Sequence, residues 1–122
     1  VNGKAIRYTS SEPTDDDQWG LLSAIDLTDG KIRWQHRTDQ PLLGGTLATK
    51  GNLVFVGEGN GNFSAIHASS GESLWSVKIN AGVNAPAISY MIDGKQYIAV
   101  VSGGNKIMGY KQGDFISVFS LD

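Results

Sequence analysis

Short runs of β-branched and aromatic residues recur along the chain, and glycine, asparagine, aspartate or serine bounds each run. Such short runs, joined by tight turns, are typical of an all-β protein. No run needs a helix to explain its pattern. The pattern predicts strands at Ala5–Thr9, Leu21–Asp26, Lys31–His36, Gly45–Thr49, Leu53–Gly57, Phe63–His67, Ser73–Ile79, Ala85–Met91, Gln96–Ser102 and Phe115–Leu121.

Turn dipeptides separate many of these strands. Asp29–Gly30, Asn60–Gly61 and Asp93–Gly94 readily adopt the positive φ of two-residue hairpin turns, and Ser70–Gly71 stands in an equivalent place. They predict antiparallel meanders. The run Gln96–Ser102 is almost continuously apolar, which suits an inner strand buried on both faces between neighbouring sheets.

An internal repeat sets the architecture. The segment Gly20–Trp34 recurs as Gly61–Trp75 at a constant offset of 41 residues, with six identities in fifteen aligned positions. A period near forty residues is that of a four-stranded propeller blade. We therefore expect an all-β fold of β-propeller blades in an incomplete ring, because the strands are too few to close one. The expected division is a partial blade over residues 1–43, a full blade over 44–79 and a partial closing blade over 80–122.

Both repeats contain a motif that resembles the tryptophan-docking motif of quinoprotein dehydrogenases, Ala-x-Asp-x-x-Thr-Gly-x-x-x-Trp. The copies span Ala24–Trp34 and Ala65–Trp75, and the alanine, glycine and tryptophan match in both. The chain departs from the motif at Asp29 and Ser70, where the family has Thr, and at His67, where it has Asp. A small alanine leaves room for an indole from the adjacent blade, so we expect both tryptophans to be packing residues.

Three further segments resemble the C-terminal end of quinoprotein alcohol and methanol dehydrogenases: Gly44–Gly57, Ala85–Gly104 and Gly113–Leu121. This resemblance implies pyrroloquinoline quinone and usually calcium as cofactors of the full-length parent. It also implies an alcohol or sugar substrate, a cytochrome or quinone electron acceptor, and a periplasmic location. In that family the acidic metal ligands and the catalytic base lie upstream of the matched region, so no catalytic residue is assigned here.

Two places are predicted to contact the quinone. Gly103, Gly104 and Asn105 follow the inner-strand candidate, where small residues allow close approach of a flat ligand and the Asn amide can bond its carbonyl or carboxylate groups. The alternative for this loop is a plain turn. Leu43 is the second place, because many relatives have there a tryptophan that reaches the cofactor.

Composition excludes several classes of function. The formal charge of −2 gives no electrostatic attraction for nucleic acid or an anionic membrane. Cysteine is absent, so thiolate metal sites are excluded. The one acidic cluster, Asp15–Asp17, is a candidate for a hard cation, although adjacent loop carboxylates are usually only solvated. Val1 in place of an initiator methionine leads us to expect a part of a longer polypeptide.

Two rival hypotheses stay open at this point. One is a scaffold propeller without a redox cofactor, similar to the lipoprotein of outer-membrane assembly that shares the docking repeat. The other is a fragment with no activity of its own. We expect the chain alone to be inactive and to bind no cofactor tightly, and we expect its exposed blade faces to self-associate, since large apolar surfaces are rarely left in water.

Overall fold

A computed structural model describes residues 17–121. The predicted strand Ala5–Thr9, and Asp15 and Asp16 of the acidic cluster, lie outside these residues. Within the described range there is no helix, and hence none that could cross a membrane. The strands are β1 Gly20–Ile25, β2 Ile32–Thr38, β3 Leu47–Ala48, β4 Leu53–Gly57, β5 Asn62–His67, β6 Ser73–Lys78, β7 Ile88–Ile92, β8 Lys95–Ser102 and β9 Phe115–Leu121.

The strands form three antiparallel sheets in chain order, and the described residues do not close a ring. The first sheet is β1-β2, the second β3-β4-β5-β6 and the third β7-β8-β9. The predicted all-β class and incomplete ring are therefore confirmed. The division into blades at residues 43/44 and 79/80 stays a prediction.

Strand β3 is shorter, and strand β7 starts later, than the sequence pattern predicts. In β3 only Leu47 and Ala48 pair with β4, because the Thr49 amide donates to Leu53 O at 2.9 Å and so belongs to the turn. β7 starts at Ile88, after Pro86, which has no amide hydrogen to donate to a sheet. Both differences follow from local backbone hydrogen bonding that apolar patterning does not encode.

The two repeats fold into hairpins with the same register. Ala24 lies opposite Trp34 in the first sheet, and Ala65 lies opposite Trp75 in the second, with an irregularity directly after the alanine in each. The turn glycine of each hairpin has positive φ, 69° at Gly30 and 77° at Gly71. The two tryptophans therefore occupy the same register position in successive sheets.

Each of these tryptophans contacts the next sheet along the chain. The Trp34 ring lies over Gly71, and its Nε1 donates a 2.8 Å hydrogen bond to Ala68 O in the β5–β6 turn. Trp75 packs edge-on against Phe119 of β9, with ring centroids 5.1 Å apart. These contacts fit the packing role predicted for both residues.

The main core lies between the second and third sheets. Its buried members are Phe55, Phe63, Ala65, Ile79, Val83, Ala87, Ile98 and Val100. Strand β8 contributes Ile98 and Val100 to this core, whereas Val101 of the same strand is half exposed. The sequence analysis expected both faces of β8 to be buried, and this prediction is wrong. Among residues 17–121, no sheet covers the second face of β8.

Candidate functional site

The predicted quinone-contact residues Gly103, Gly104 and Asn105 open the loop between β8 and β9. Gly104 has φ 71°, and its amide donates a 2.9 Å hydrogen bond to Gly82 O. A Cβ at Gly104 would collide with the backbone of Lys111. Gly104 is therefore required for the packing of the loop itself. At Gly103, by contrast, an added Cβ would meet only Gly113 O, at 3.7 Å.

Asn105 holds the same loop together. Its Oδ1 accepts hydrogen bonds from the amides of Ile107, at 3.0 Å, and Met108, at 3.2 Å. Its carbonyl oxygen accepts from the Tyr110 amide at 2.8 Å. The acceptor atoms of Asn105 are thus used inside the loop, which leaves its amide Nδ2 as the group that can donate to a ligand.

Leu43 lies on a different segment and is 46% exposed. Its neighbour Gly44 packs against the backbone of Asn84, such that a Cβ there would lie 3.1 Å from the Asn84 carbonyl. Asn84 is in the β6–β7 loop, which also contains Gly82, the partner of Gly104. The structure thus connects both predicted contact segments through the β6–β7 loop.

Sequence reasoning missed a group of buried polar residues around these loops. The side chain of Asn84, the hydroxyl of Ser102 and the hydroxyl of Tyr110 are buried and have no hydrogen-bond partner among the described residues. Glu58 is also buried, and its carboxylate accepts from the side-chain amides of Asn60 and Asn62, both at 3.3 Å. The sequence contains only a weak sign of this burial, since a polar residue between two glycines, such as Glu58, is usually interpreted as part of a solvated turn.

Glycine allows one of these residues to pack closely. The Tyr110 ring lies directly on Gly59, where any Cβ would collide with it. Burial raises the pKa of the Tyr110 phenol above its ordinary value. The phenol therefore stays neutral at physiological pH, and we assign Tyr110 a packing role.

The acid with a shifted pKa lies away from these loops, in the turn of the first sheet. Asp26 accepts hydrogen bonds from the Thr28 hydroxyl at 2.6 Å, the Thr28 amide at 2.8 Å and Arg33 Nη2 at 2.7 Å. These bonds, that of the Thr28 hydroxyl first, lower the pKa of the carboxyl group. Asp26 therefore stabilises a turn and is not a candidate general base.

The donor set limits what the described residues can bind. No group of three or more His, Cys, Asp or Glu side chains that could hold a metal ion gathers among residues 17–121. Leu43, Gly103 and Asn105 offer an apolar side chain, open backbone and one amide donor. Their contact with a quinone stays a prediction.

Comparison with known proteins decides the family. Residues 4–98 match the family model described as glucose/ethanol/alcohol dehydrogenase, β-propeller domain, of the PQQ type. The chain belongs to this PQQ dehydrogenase propeller family. Membership confirms the resemblance carried by the two docking motifs.

Individual dehydrogenases of this family share substantial identity with the chain. A quinoprotein ethanol dehydrogenase of Pseudomonas putida is 48% identical over 88 residues, which cover 72% of this chain and 14% of that protein. The solved quinohemoprotein alcohol dehydrogenase of Comamonas testosteroni matches with a TM-score of 0.75 and 32% identity, over 90% of this chain and 18% of the other. The chain thus spans less than a fifth of these PQQ dehydrogenases.

A more distant solved structure also matches the chain. BamB from Moraxella catarrhalis matches with a TM-score of 0.53 and 18% identity, over 91% of this chain and 34% of that one. At this identity the likeness shows the shared fold alone. It supports the propeller architecture of this PQQ-family chain and carries no argument about its function.

Proposed function

We propose that this chain forms the C-terminal blades of a PQQ-dependent dehydrogenase that oxidises an alcohol or a sugar in the periplasm. The observation that carries the proposal is the 48% identity to a quinoprotein ethanol dehydrogenase over 72% of the chain. The three segments that resemble the end of such enzymes support the C-terminal position. The catalytic base and the ligands of calcium belong, in this proposal, to upstream blades that this chain does not include.

The role of this part in the enzyme is to close one side of the quinone site. Gly103 offers open backbone, Asn105 Nδ2 can donate to a carbonyl or carboxylate oxygen, and Leu43 offers apolar surface. Gly104 shapes the loop through its bond to Gly82. When bound, the quinone would accept the electrons of the substrate, and these residues would only orient it.

The described residues do not supply the groups that catalysis needs. They form no metal-ligand cluster, and the acid whose pKa is shifted, Asp26, is tied to Thr28 and Arg33. A polyanionic cofactor on a propeller axis needs donors from most blades. We therefore propose that the chain by itself is inactive and self-associates, and that the parent passes electrons to a cytochrome or quinone acceptor.

The test compares the chain with the longer polypeptide that includes it. Both are titrated with pyrroloquinoline quinone and calcium, and dye reduction is followed with ethanol and with glucose. We expect saturable turnover from the longer polypeptide and none from the chain. Turnover by the chain alone would contradict the assignment of catalysis to upstream blades. Failure of the longer polypeptide to bind quinone would contradict the dehydrogenase function itself.

A further inference from the structure

The pairing between β7 and β8 is interrupted close to the candidate quinone loop. Their ladder begins with Ile88 opposite Ala99. Further along, the Gly104 amide donates a 2.9 Å hydrogen bond to Gly82 O, which departs by only one residue from the register of the ladder. The two segments therefore stay side by side between these points, yet no backbone hydrogen bond joins them there among the described residues. This interrupted stretch is called the β7–β8 gap below.

The residues of the gap explain the interruption. Pro86 lies in it and has no amide hydrogen to donate to β8. Gly103, on the opposite segment, has no side chain, and an added Cβ there would meet no other atom nearer than 3.7 Å. Gly44 and Gly45 cover the gap from a third segment, where added Cβ atoms would lie 3.1 and 3.2 Å from its residues. The gap is thus covered by this chain, but at these two positions it contains neither a backbone donor nor a side chain.

Three buried polar atoms belong to the gap. They are Oδ1 and Nδ2 of Asn84 and Oγ of Ser102, and none has a hydrogen-bond partner among residues 17–121. The register of the ladder, when continued, places Asn84 opposite Gly103, directly beside Ser102. Ser102 is also 0% exposed. Buried polar groups in proteins are nearly always hydrogen-bonded, so both side chains require a partner that the described residues do not provide.

We propose that the β7–β8 gap binds an ordered water molecule that bridges the side chains of Asn84 and Ser102. The amide and the hydroxyl can each donate and accept, and the backbone groups of the interrupted ladder can make a further bond. A buried water typically makes about three hydrogen bonds, which matches this set of partners. Because the three side-chain atoms are already buried, a further segment of a longer polypeptide would reach them only by displacing residues of this chain. The bridge fixes the end of β8, directly before Gly103, to the β6–β7 loop. This water site does not depend on the dehydrogenase function.

A crystal structure of the longer polypeptide, at a resolution that shows ordered waters, is the direct test. We expect a water oxygen within about 3.2 Å of both the Asn84 amide and Ser102 Oγ. A direct hydrogen bond between the two side chains would overturn the proposal, because no bridge would then be needed. Protein partners for both side chains from outside residues 17–121 would overturn it as well, and so would a gap without a water.

Asn84→Leu tests the bridge in solution, because leucine has the shape of asparagine without its polar atoms. An amide with no partner would be removed without loss, or with a gain in stability. We expect instead that Asn84→Leu lowers the folding equilibrium constant about tenfold, since it also takes the water from Ser102. Ser102→Ala should then have a smaller effect in the Asn84→Leu background than in the unmodified chain. Urea unfolding measures both, and near-ultraviolet circular dichroism checks the fold. Unchanged or raised stability of Asn84→Leu would contradict the bridge.

Ser64→Ala is the matched control. Ser64 is also a buried serine, but it lies in β5 and its hydroxyl donates to Ser76 Oγ at 3.0 Å. Its substitution should lower the folding equilibrium constant by the same factor with Asn84 and with Asn84→Leu, because sites without shared partners act additively. If the effects of Ser64→Ala and Ser102→Ala changed equally between the two backgrounds, the coupling would be a general effect of Asn84→Leu, and the proposal would be overturned.

Discussion

The indole of Trp34 lies on Gly71, and its Nε1 donates a 2.8 Å hydrogen bond to the carbonyl of Ala68 beside it. A residue of the first sheet is thereby fixed to the turn of the second sheet. The glycine is needed twice here, because its φ is 77° and because a Cβ would lie 2.7 Å from the indole. The docking motif thus encodes a contact between sheets as well as a turn.

Alanine substitutions at the two equivalent glycines separate these effects. Gly30 has φ 69°, but a Cβ added there would meet no atom within 4 Å, so Gly30→Ala should lose only about 1 kcal/mol, the strain of a left-handed alanine. Gly71→Ala adds the collision with Trp34 and should lose roughly 1–3 kcal/mol more. Urea unfolding followed by tryptophan fluorescence measures both. Equal losses for the two variants would show that the indole contact is unimportant.

The core between the second and third sheets depends on Phe63. It is 1% exposed and packs against the rings of Phe55, Trp75 and Phe119. We expect Phe63→Ala to lower the free energy of unfolding by about 3–5 kcal/mol, through lost contacts and the cavity left behind.

Leu74→Ala is the control for this truncation, because Leu74 is half exposed. Its expected loss is below about 1 kcal/mol by the same unfolding measurement. If both variants lost the same amount, the two sheets would not share the core described here.

Tyr110 should make stability fall at alkaline pH. Its pKa is raised by burial above the ordinary value of 10.0, so the neutral phenol is favoured in the folded state. The contribution of the neutral Tyr110 side chain to the free energy of unfolding is fully present below about pH 10. It is lost as the pH rises through the higher pKa of the folded state. Tyr110→Phe removes the ionisation and should flatten this alkaline decline. It should also change stability at neutral pH by no more than about 1 kcal/mol, since the buried hydroxyl has no partner among the described residues.

The comparison is made by urea unfolding of both proteins at several pH values from about pH 8 to about pH 11. Parallel curves for the two proteins would contradict the assignment of the decline to Tyr110. A large loss in Tyr110→Phe at neutral pH would instead reveal a hydrogen bond to the hydroxyl.

The sequence allowed the strands and their pairing to be predicted because both depend on local signals. Short runs of β-branched and aromatic residues identify strands such as β4 and β9, and glycine after a polar residue marks the hairpin turns at Gly30, Gly71 and Gly94. The repeat then relates Trp34 to Trp75 without any knowledge of contacts. Only strand ends set by backbone hydrogen bonds, as at Thr49, escaped the pattern.

The surroundings of the candidate site were not predictable in this way. Glu58 and the side-chain amide atoms of Asn84 are buried where three loops, distant in sequence, pack glycine against glycine, as Gly82 does with the Gly59 carbonyl and Gly104. No local pattern tells a loop residue in such a cluster from one in water. The predicted contacts of Leu43, Gly103, Gly104 and Asn105 with a quinone stay predictions.

Two adjacent glycines allow quinone contact to be tested apart from folding. At Gly103 a methyl group would meet only Gly113 O at 3.7 Å, an ordinary contact, and φ is not in the left-handed region. Gly103→Ala in the longer polypeptide should therefore keep the free energy of unfolding within about 0.5 kcal/mol. If the quinone lies against Gly103, the added methyl should weaken quinone binding about tenfold or more by steric exclusion.

Gly104→Ala should instead lower stability and binding together, because its Cβ collides with Lys111 and its φ is 71°. The measurement is a quinone titration followed by cofactor absorbance, paired with urea unfolding of the same samples. Unchanged quinone affinity in a stable Gly103→Ala variant would remove Gly103 from the site and favour the plain-turn interpretation of the loop.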